Sequence, residues 1–192
     1  TVPVTRMYAK LKVKVEMLNA EMELNNVNVR QIPNICRIET FAGDGNGEPM
    51  NAVPFPGGTT FSSIAFAASD LEKSEDKEWA VFYVPENLQG EIENQGGNKS
   101  DAAPTNALVV DVTAEIGGEK YLYAAYPGGN SLNNFNIQRN QVYRMTLTIT
   151  GEKGQNNPSS NCFVVKPNGF LSFEPYYRVE TGGGYNFADY LS

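Results

Sequence analysis

The chain has 192 residues, 41% of them hydrophobic and 11% aromatic, which suits one domain with a real core, or one domain and part of another. Its net charge of −7 argues against nucleic acid or an anionic membrane as the main partner. It has no histidine, which removes the commonest general base and the most frequent transition-metal ligand. No apolar run approaches the roughly 20 residues that span a bilayer, and no leader precedes Thr1, so we expect a processed chain.

The first predicted strand is Tyr8–Met17, where apolar and polar residues alternate at every step. Such alternation is typical of a strand with one buried face and one wet face. One face carries Ala9, Leu11, Val13, Val15 and Met17, and the other carries Lys10, Lys12, Lys14 and Glu16. We interpret the lysines as a solvated sheet surface rather than as a basic binding patch.

Shorter elements follow this strand. Val27–Ile32 and Ile35–Phe41 are predicted as short strands on either side of Pro33. Gly43–Gly58 is rich in glycine and proline and predicts a loop. Ser69–Glu78 is charged and predicts one helical turn or more.

The middle of the chain predicts three strands. Trp79–Val84 is a continuous apolar run, which is typical of a central strand buried on both faces. Glu91–Pro104 is polar and predicts an exposed loop. Leu108–Ile116 alternates again, and the Gly117-Gly118 pair predicts a tight turn that joins it to a hairpin partner at Lys120–Tyr126.

The clearest signal is the stretch Asn133–Gly151. Its asparagine-rich approach suits turns, because short amides bond to nearby backbone and tolerate left-handed conformations. Its second half alternates, with Tyr143, Met145, Leu147 and Ile149 on one face and Arg144, Thr146, Thr148 and Thr150 on the other. Seven or more short strands with hardly any helix predict an all-β fold, an antiparallel β-sandwich.

The last part of the chain predicts a boundary. Gly151–Asn161 has the composition of a linker or a long loop. Beyond it, Cys162–Val165 and Phe170–Phe173 are predicted as strands, and Tyr176–Ser192 is aromatic and glycine-rich with weak periodicity. We therefore divide the chain into a β-sandwich domain, residues 1–160, and a tail, residues 161–192, which begins a further β unit or packs onto the first.

Catalytic and metal-binding patterns are weak. Asp44–Glu48 resembles the start of a calcium loop, but Pro49 and Phe55 stand where that motif needs glycine and glutamate. The acidic residues Glu72, Glu75, Asp76 and Glu78 lie in a charged stretch that is typical of solvated surface. Glu86, Asp111 and Glu115 are separated from one another in the sequence. We predict no enzyme, no catalytic residue, no metal, no cofactor and no small-molecule substrate, because a catalytic site needs converging groups.

The two cysteines leave two alternatives open. Cys36 and Cys162 could pair in an oxidising compartment, but distant cysteines in β segments are more often small buried hydrophobes.

Tyrosines are the remaining candidates for contacts with a partner or a glycan. Those on predicted strands are expected to cover the core or to form cross-strand pairs. The tail has little else to pack with, so its tyrosines could instead stack on sugars or fill an interface. These candidates are Tyr176, Tyr177, Tyr185 and Tyr190.

Four segments, taken in order, carry a family resemblance. Val2–Val13 is similar to an opening strand with the pattern Arg-x-x-Ala-(Lys/Arg), and Phe82–Asn87 is similar to a strand end with the pattern Phe-Tyr-x-x-Glu-Asn. Phe135–Tyr143 is similar to the start of a late strand with the pattern Arg-Asn-x-x-Tyr. Leu147–Gly151, followed by Asn156-Asn157-Pro158, is similar to a strand and the Asn-Pro loop after it. Together, across roughly residues 2 to 165, they resemble the C-terminal domain of the fimbrillin-like proteins of Bacteroidetes, the subunits of type V pili.

This resemblance implies a transthyretin-like β-sandwich at the cell surface, exported as a lipoprotein to the outer membrane. It also implies other fimbrial subunits as partners, joined when an extended segment of one subunit completes an open groove in the next. Such β-augmentation gains affinity from backbone hydrogen bonds and register from alternating side chains. The tail could be a donor strand. An alternative function is a surface module that binds a glycan or matrix ligand of a host or bacterial surface.

Overall fold

The computed structural model describes residues 7–38, 51–71, 78–93, 99–130, 132–149, 171–173 and 178–180. Nine strands and almost no helix make up these residues. The elements are β1 (Tyr8–Met17), β2 (Glu23–Pro33), β3 (Phe61–Ala67), α1 (Ala68–Leu71), β4 (Ala80–Pro85), a 3-10 turn (Lys99–Ala102), β5 (Val109–Ile116), β6 (Glu119–Ala125), β7 (Val142–Ile149), β8 (Leu171–Phe173) and β9 (Arg178–Glu180). None of the described helices is long and apolar enough to cross a membrane.

The strands form two sheets that pack face to face, so the predicted β-sandwich is confirmed. One sheet has the order β4-β1-β7-β8, with β9 also paired to β7, and the other has the order β3-β2-β5-β6. The shared core takes the inward side chains of both sheets. From the first sheet come Leu11, Val13, Phe82, Tyr143, Met145 and Leu147, and from the second come Val27, Val29, Val110, Val112 and Tyr123.

One pairing departs from the antiparallel prediction. β1 and β7 run parallel, from the pair Lys10–Val142 to the pair Met17–Ile149. A parallel pair needs a long crossover between its strands, and here more than half of the chain lies between β1 and β7. Periodicity within a strand carries no information about the direction of its neighbour, so the alternation of β1 and β7 predicted the strands but not their pairing.

The prediction of a solvated lysine face on β1 was wrong for Lys10 and Lys12, whereas Lys14 and Glu16 are partly exposed. Lys10 and Lys12 are only 2% and 6% exposed. Their ammonium nitrogens lie over aromatic rings of neighbouring residues, Lys10 at 5.9 Å from the Tyr83 centroid and Lys12 at 5.1 Å from the Trp79 centroid. The long alkyl stems therefore pack on the outer face of the sheet while each charge meets a ring.

Two further predictions were wrong, and one strand was missed. β4 is the edge of its sheet rather than a central strand, and its Tyr83 is 51% exposed. Residues 35–38 are not a strand, and 39–41 lie outside the described residues. β3 was not predicted at all, because its small residues give a weak pattern.

The β5–β6 hairpin was predicted correctly. Gly117 and Gly118 turn it with positive φ angles of 61° and 83°, as a two-residue type I′ turn requires. The helical prediction for Ser69–Glu78 is confirmed to the extent of the single turn α1, and residues 72–77 lie outside the described part.

Candidate functional site

The outer side of β7 is the best candidate for an interaction site. β1 pairs with one side of β7, and two short strands from the tail pair antiparallel with the other side. β8 pairs Leu171–Phe173 with Ile149–Leu147, and β9 pairs Arg178–Glu180 with Arg144–Val142. We call this side of β7 the β7 edge. A strand needs hydrogen-bond partners for both of its sides, and at the β7 edge the tail supplies them.

The β7 edge lies directly beside the core. Tyr143, Met145, Leu147 and Ile149 are at most 1% exposed, as their alternation predicted. A segment that leaves the β7 edge uncovers backbone groups at the most buried strand of the first sheet. Pairing at this edge is therefore coupled to the packing of the core, which is what makes strand addition energetically strong.

The tail changes register along the β7 edge. Between Phe173 and Arg178 the tail advances five residues, whereas β7 advances three, from Arg144 to Leu147. The strand predicted at Phe170–Phe173 is confirmed for residues 171–173. β9 was missed, because three residues are too few to show a period.

The tail tyrosines proposed as contact residues, Tyr176, Tyr177, Tyr185 and Tyr190, lie outside the described residues. The predicted strand Cys162–Val165 lies outside them as well.

An ion pair fixes the entry to β7. Arg139 forms a two-pronged contact with Glu86, in which Nη2 donates to Oε1 at 2.8 Å and Nε donates to Oε2 at 3.0 Å. The same guanidinium donates to the backbone carbonyls of Arg37 and Ile38. The bond to Glu86 raises the pKa of Arg139. We call this cluster the motif junction, because Glu86 and Arg139 belong to two of the segments that carry the family resemblance.

A third segment of the resemblance meets the same place. Asn140 adopts a positive φ of 63° and donates its backbone N–H to the carbonyl of Tyr8 at 3.0 Å. Lys10 N–H donates to the carbonyl of Gln141 at 2.9 Å, and the Tyr143 hydroxyl accepts from Gln138 N–H at 2.7 Å. The motif residues therefore hold β1, the end of β4 and the start of β7 together, which is a structural rather than a catalytic role.

Asparagine side chains shape the approach to β7, as the sequence predicted. Asn130 Oδ1 accepts from the backbone N–H groups of residues 132, 133 and 134, and Asn134 Oδ1 accepts from Gly129 and Asn136. Asn136 Oδ1 accepts from Gly90 N–H at 2.7 Å. These amides replace a regular backbone ladder in a buried loop.

The loop predicted to be exposed contains a buried lysine. Lys99, in the 3-10 turn, is 6% exposed and donates to the carbonyl of Asn130 at 2.6 Å. Its Nζ lies 4.9 Å from the Phe135 ring centroid. Burial lowers the pKa of Lys99 to about 7, even though both contacts favour the charged form. Sequence reasoning missed this residue because a lone lysine in a polar loop gives no signal of burial.

The isolated acids identified in the sequence are each held by a different group. Glu86 pairs with Arg139, Asp111 Oδ2 accepts from Arg30 Nε at 2.6 Å, and Glu115 accepts from Asn25 at 3.2 Å. Burial raises the pKa of Asp111 against the opposing effect of Arg30. Within the described residues, no three His, Cys, Asp or Glu side chains converge as metal ligands would. Among the described residues Cys36 has no disulfide partner, and Cys162 lies outside them.

A comparison with protein-family models gives one match. A family model described as "Domain of unknown function (DUF4906)" matches residues 82–147, which include both residues of the motif junction. No protein in the curated set matches the sequence.

Similar solved structures come from Bacteroidetes. The tip fimbrial protein Mfa3 from Porphyromonas gingivalis, with a C-terminal truncation, is 16% identical with a TM-score of 0.42, covering 78% of this chain and 49% of its own. A "putative cell adhesion protein" from Parabacteroides distasonis is 16% identical with a TM-score of 0.43, covering 85% and 47%. A third, from Bacteroides fragilis, is 13% identical with a TM-score of 0.38, covering 82% and 48%.

The chain thus spans about half the length of the solved structures that it matches.

Proposed function

We propose that this chain is part of a non-catalytic fimbrial subunit or adhesin at the bacterial surface, and that it joins neighbouring subunits by strand pairing at the β7 edge. The observation that carries the proposal is the pairing of β8 and β9 with β7. A segment that completes a sheet within one molecule can complete the same sheet in another, since the hydrogen bonds are identical in the two cases.

The register supports an exchangeable segment. Within its described residues, the tail contacts β7 through two blocks of three residue pairs, with a register change between them. By comparison, β1 pairs with β7 through eight consecutive residues. The described tail ladder is shorter than the β1 ladder, so opening it costs less free energy. We therefore expect the tail to dissociate from β7 and to be replaced by the tail of a neighbouring chain.

The chemistry of the described residues supports a structural role. The polar residues that the sequence singled out, Glu86 and Arg139, bind each other and nearby carbonyls, and they build the support of β7. Surface location, export as a lipoprotein and association with other fimbrial subunits belong to this proposal. They are supported by the family resemblance of the four segments.

Peptide complementation tests the proposal. A chain ending at Ser160 lacks β8 and β9, so we expect it to melt at a lower temperature than the full chain. A peptide of residues 166–182 should bind it and restore part of that difference. The control is the same peptide with Ser172→Pro and Glu180→Pro, since the N–H groups of these two residues face β7 in the register and proline cannot donate to a ladder. Failure of the unmodified peptide to bind or to raise the melting temperature contradicts the proposal.

One observation favours a second candidate function, a glycan-binding surface. Tyr8 and Tyr83 are 50% and 51% exposed, and the register of β1 and β4 places them diagonally on one face. Diagonal rings on a sheet can form a platform on which a sugar stacks. Trp79 fits this role less well because it is less exposed than either tyrosine. A glycan array probed with the full chain and with Tyr8→Ala and Tyr83→Ala tests it, and an array without hits rejects it.

A further inference from the structure

Within the part of the chain that the structure describes, the edge strand β3 has none of the usual protection against strand pairing. Its seven residues, Phe61–Ala67, contain no charged residue and no proline. β3 pairs with β2 on one side, and the sheet order places no described strand on its other side. Ser62, Ser63, Ile64 and Ala65 are exposed. Natural proteins normally block such edges with charges, proline or a covering segment.

The other edges of the sandwich differ from β3. β6, at the far edge of the same sheet, begins with Glu119 and Lys120, and β4 ends at Pro85. The β7 edge is covered by β8 and β9. An uncharged, exposed edge in a chain of net charge −7 is therefore specific to β3.

Hydrogen bonding defines which groups of β3 point outward. Asn34 N–H donates to the carbonyl of Thr60 at 3.0 Å, which directs Thr60 toward β2. The N–H and C=O groups of successive residues point alternately to the two sides of a strand. The register irregularity between β2 and β3 lies in β2, between Arg30 and Ile32, so it does not interrupt this alternation along β3. The N–H and C=O groups of residues 61, 63, 65 and 67 therefore point away from β2.

We infer that β3 pairs with β3 of a second copy of this chain, antiparallel and two-fold symmetric about Ile64. In that register Ser63 exchanges hydrogen bonds with Ala65 of the second copy, and Phe61 does so with Ala67. Two Ile64 side chains, each 46% exposed in the single chain, meet at the non-hydrogen-bonded centre, where cross-strand side chains are closest.

The lack of charge favours a second copy as the occupant. Identical edges bring like residues near one another, so a charged residue near the centre repels its own copy. β3 carries none. The inference is independent of the proposed function, because it uses the opposite sheet and a different edge. Failure of peptide binding at the β7 edge leaves it unaffected.

Sedimentation equilibrium of the full chain over a dilution series tests the inference. We expect the wild-type mass to rise toward twice that of one chain as concentration increases. Ile64→Lys places two like charges at the two-fold axis, and Ala65→Pro removes an outward N–H without removing a bond to β2. Both variants should remain monomeric, whereas the control Leu18→Lys, at a 67% exposed position that follows β1 in the other sheet, should associate like wild type.

A cysteine crosslink gives a second readout. In a Cys36→Ser, Cys162→Ser background, Ile64→Cys should form a covalent dimer on mild oxidation, because the two positions face each other across the pair. Circular dichroism checks that each variant is folded. A wild-type chain that stays monomeric, a dimer that persists in both Ile64→Lys and Ala65→Pro, or growth into open-ended aggregates overturns the inference.

Discussion

The Arg139 guanidinium and the Glu86 carboxylate form a two-pronged ion pair that joins the end of β4 to the entry of β7, with bonds of 2.8 and 3.0 Å. The two side chains are 6% and 12% exposed. The pair is therefore shielded from solvent screening, unlike most surface ion pairs. It also ties down residues 37 and 38, whose carbonyls accept from the same arginine.

Breaking this pair should strongly destabilise the fold. Arg139→Met leaves a nearly buried carboxylate without its cation, and we expect a loss of about 3–5 kcal/mol in the free energy of unfolding. Urea unfolding measures it. Lys14→Met is the control, since Lys14 pairs with Glu16 and the exposed Glu78, and there we expect about 0–1 kcal/mol. Similar losses in the two variants contradict the role given to Arg139.

Burial of Lys99 should make stability depend on pH. Its pKa is about 7 in the folded chain against 10.5 when unfolded, so between these values the unfolded chain binds more protons. Stability contributed by this site therefore rises as pH increases from 7 to 10.5 and is constant below 7.

Lys99→Met isolates the effect of that lysine. The wild-type chain should gain stability relative to Lys99→Met by roughly 2–4 kcal/mol between pH 7 and pH 10. Urea unfolding of both chains at several pH values measures this difference in the free energy of unfolding. The contributions of the other titrating groups are the same in both chains and cancel. A difference that is flat with pH, or that falls as pH rises, contradicts the buried neutral amine.

Gly128 should tolerate no side chain. A Cβ at this position would lie 1.9 Å from the backbone oxygen of Asn134, and the residue has a φ of 156°. Because the clash is with backbone, Gly128→Ala must displace the loop that leads to β7, and we expect a loss of at least about 2 kcal/mol. Gly57→Ala is the matched control, with nothing within 4 Å of the added Cβ. Thermal unfolding compares the two, and equal melting temperatures contradict this packing.

Sequence periodicity predicted the strands whose neighbours bury one face. The bounds of β1, β5, β6 and β7 lie close to the predicted strands, and the Gly117-Gly118 turn follows from backbone conformation alone. β3 was not predicted because its serine and alanine residues give little contrast in hydrophobicity between the two faces of the strand. β4 was misplaced because a continuous apolar run does not distinguish a central strand from an edge strand whose outer rings meet lysines, as Tyr83 meets Lys10.

The candidate site could be predicted only in pieces. Glu86 and Arg139 stood out as parts of separate motifs, but their pairing depends on β4 and β7 flanking β1, and sequence spacing does not encode that. The tail was expected either to begin a further unit or to pair with the sheet, and composition could not decide between them. Its pairing with β7 depends on which sheet edge remains open once all other strands are placed.

Disulfide trapping between tail and β7 tests the central claim most directly. Thr148 and Ser172 are register partners, so in a Cys36→Ser, Cys162→Ser background the double variant Thr148→Cys, Ser172→Cys should crosslink within one chain. The two single variants are then mixed, refolded together and oxidised. The account predicts a covalent dimer joining the tail of one chain to β7 of another. A mixture that stays monomeric, although the double variant crosslinks internally, contradicts strand donation at the β7 edge.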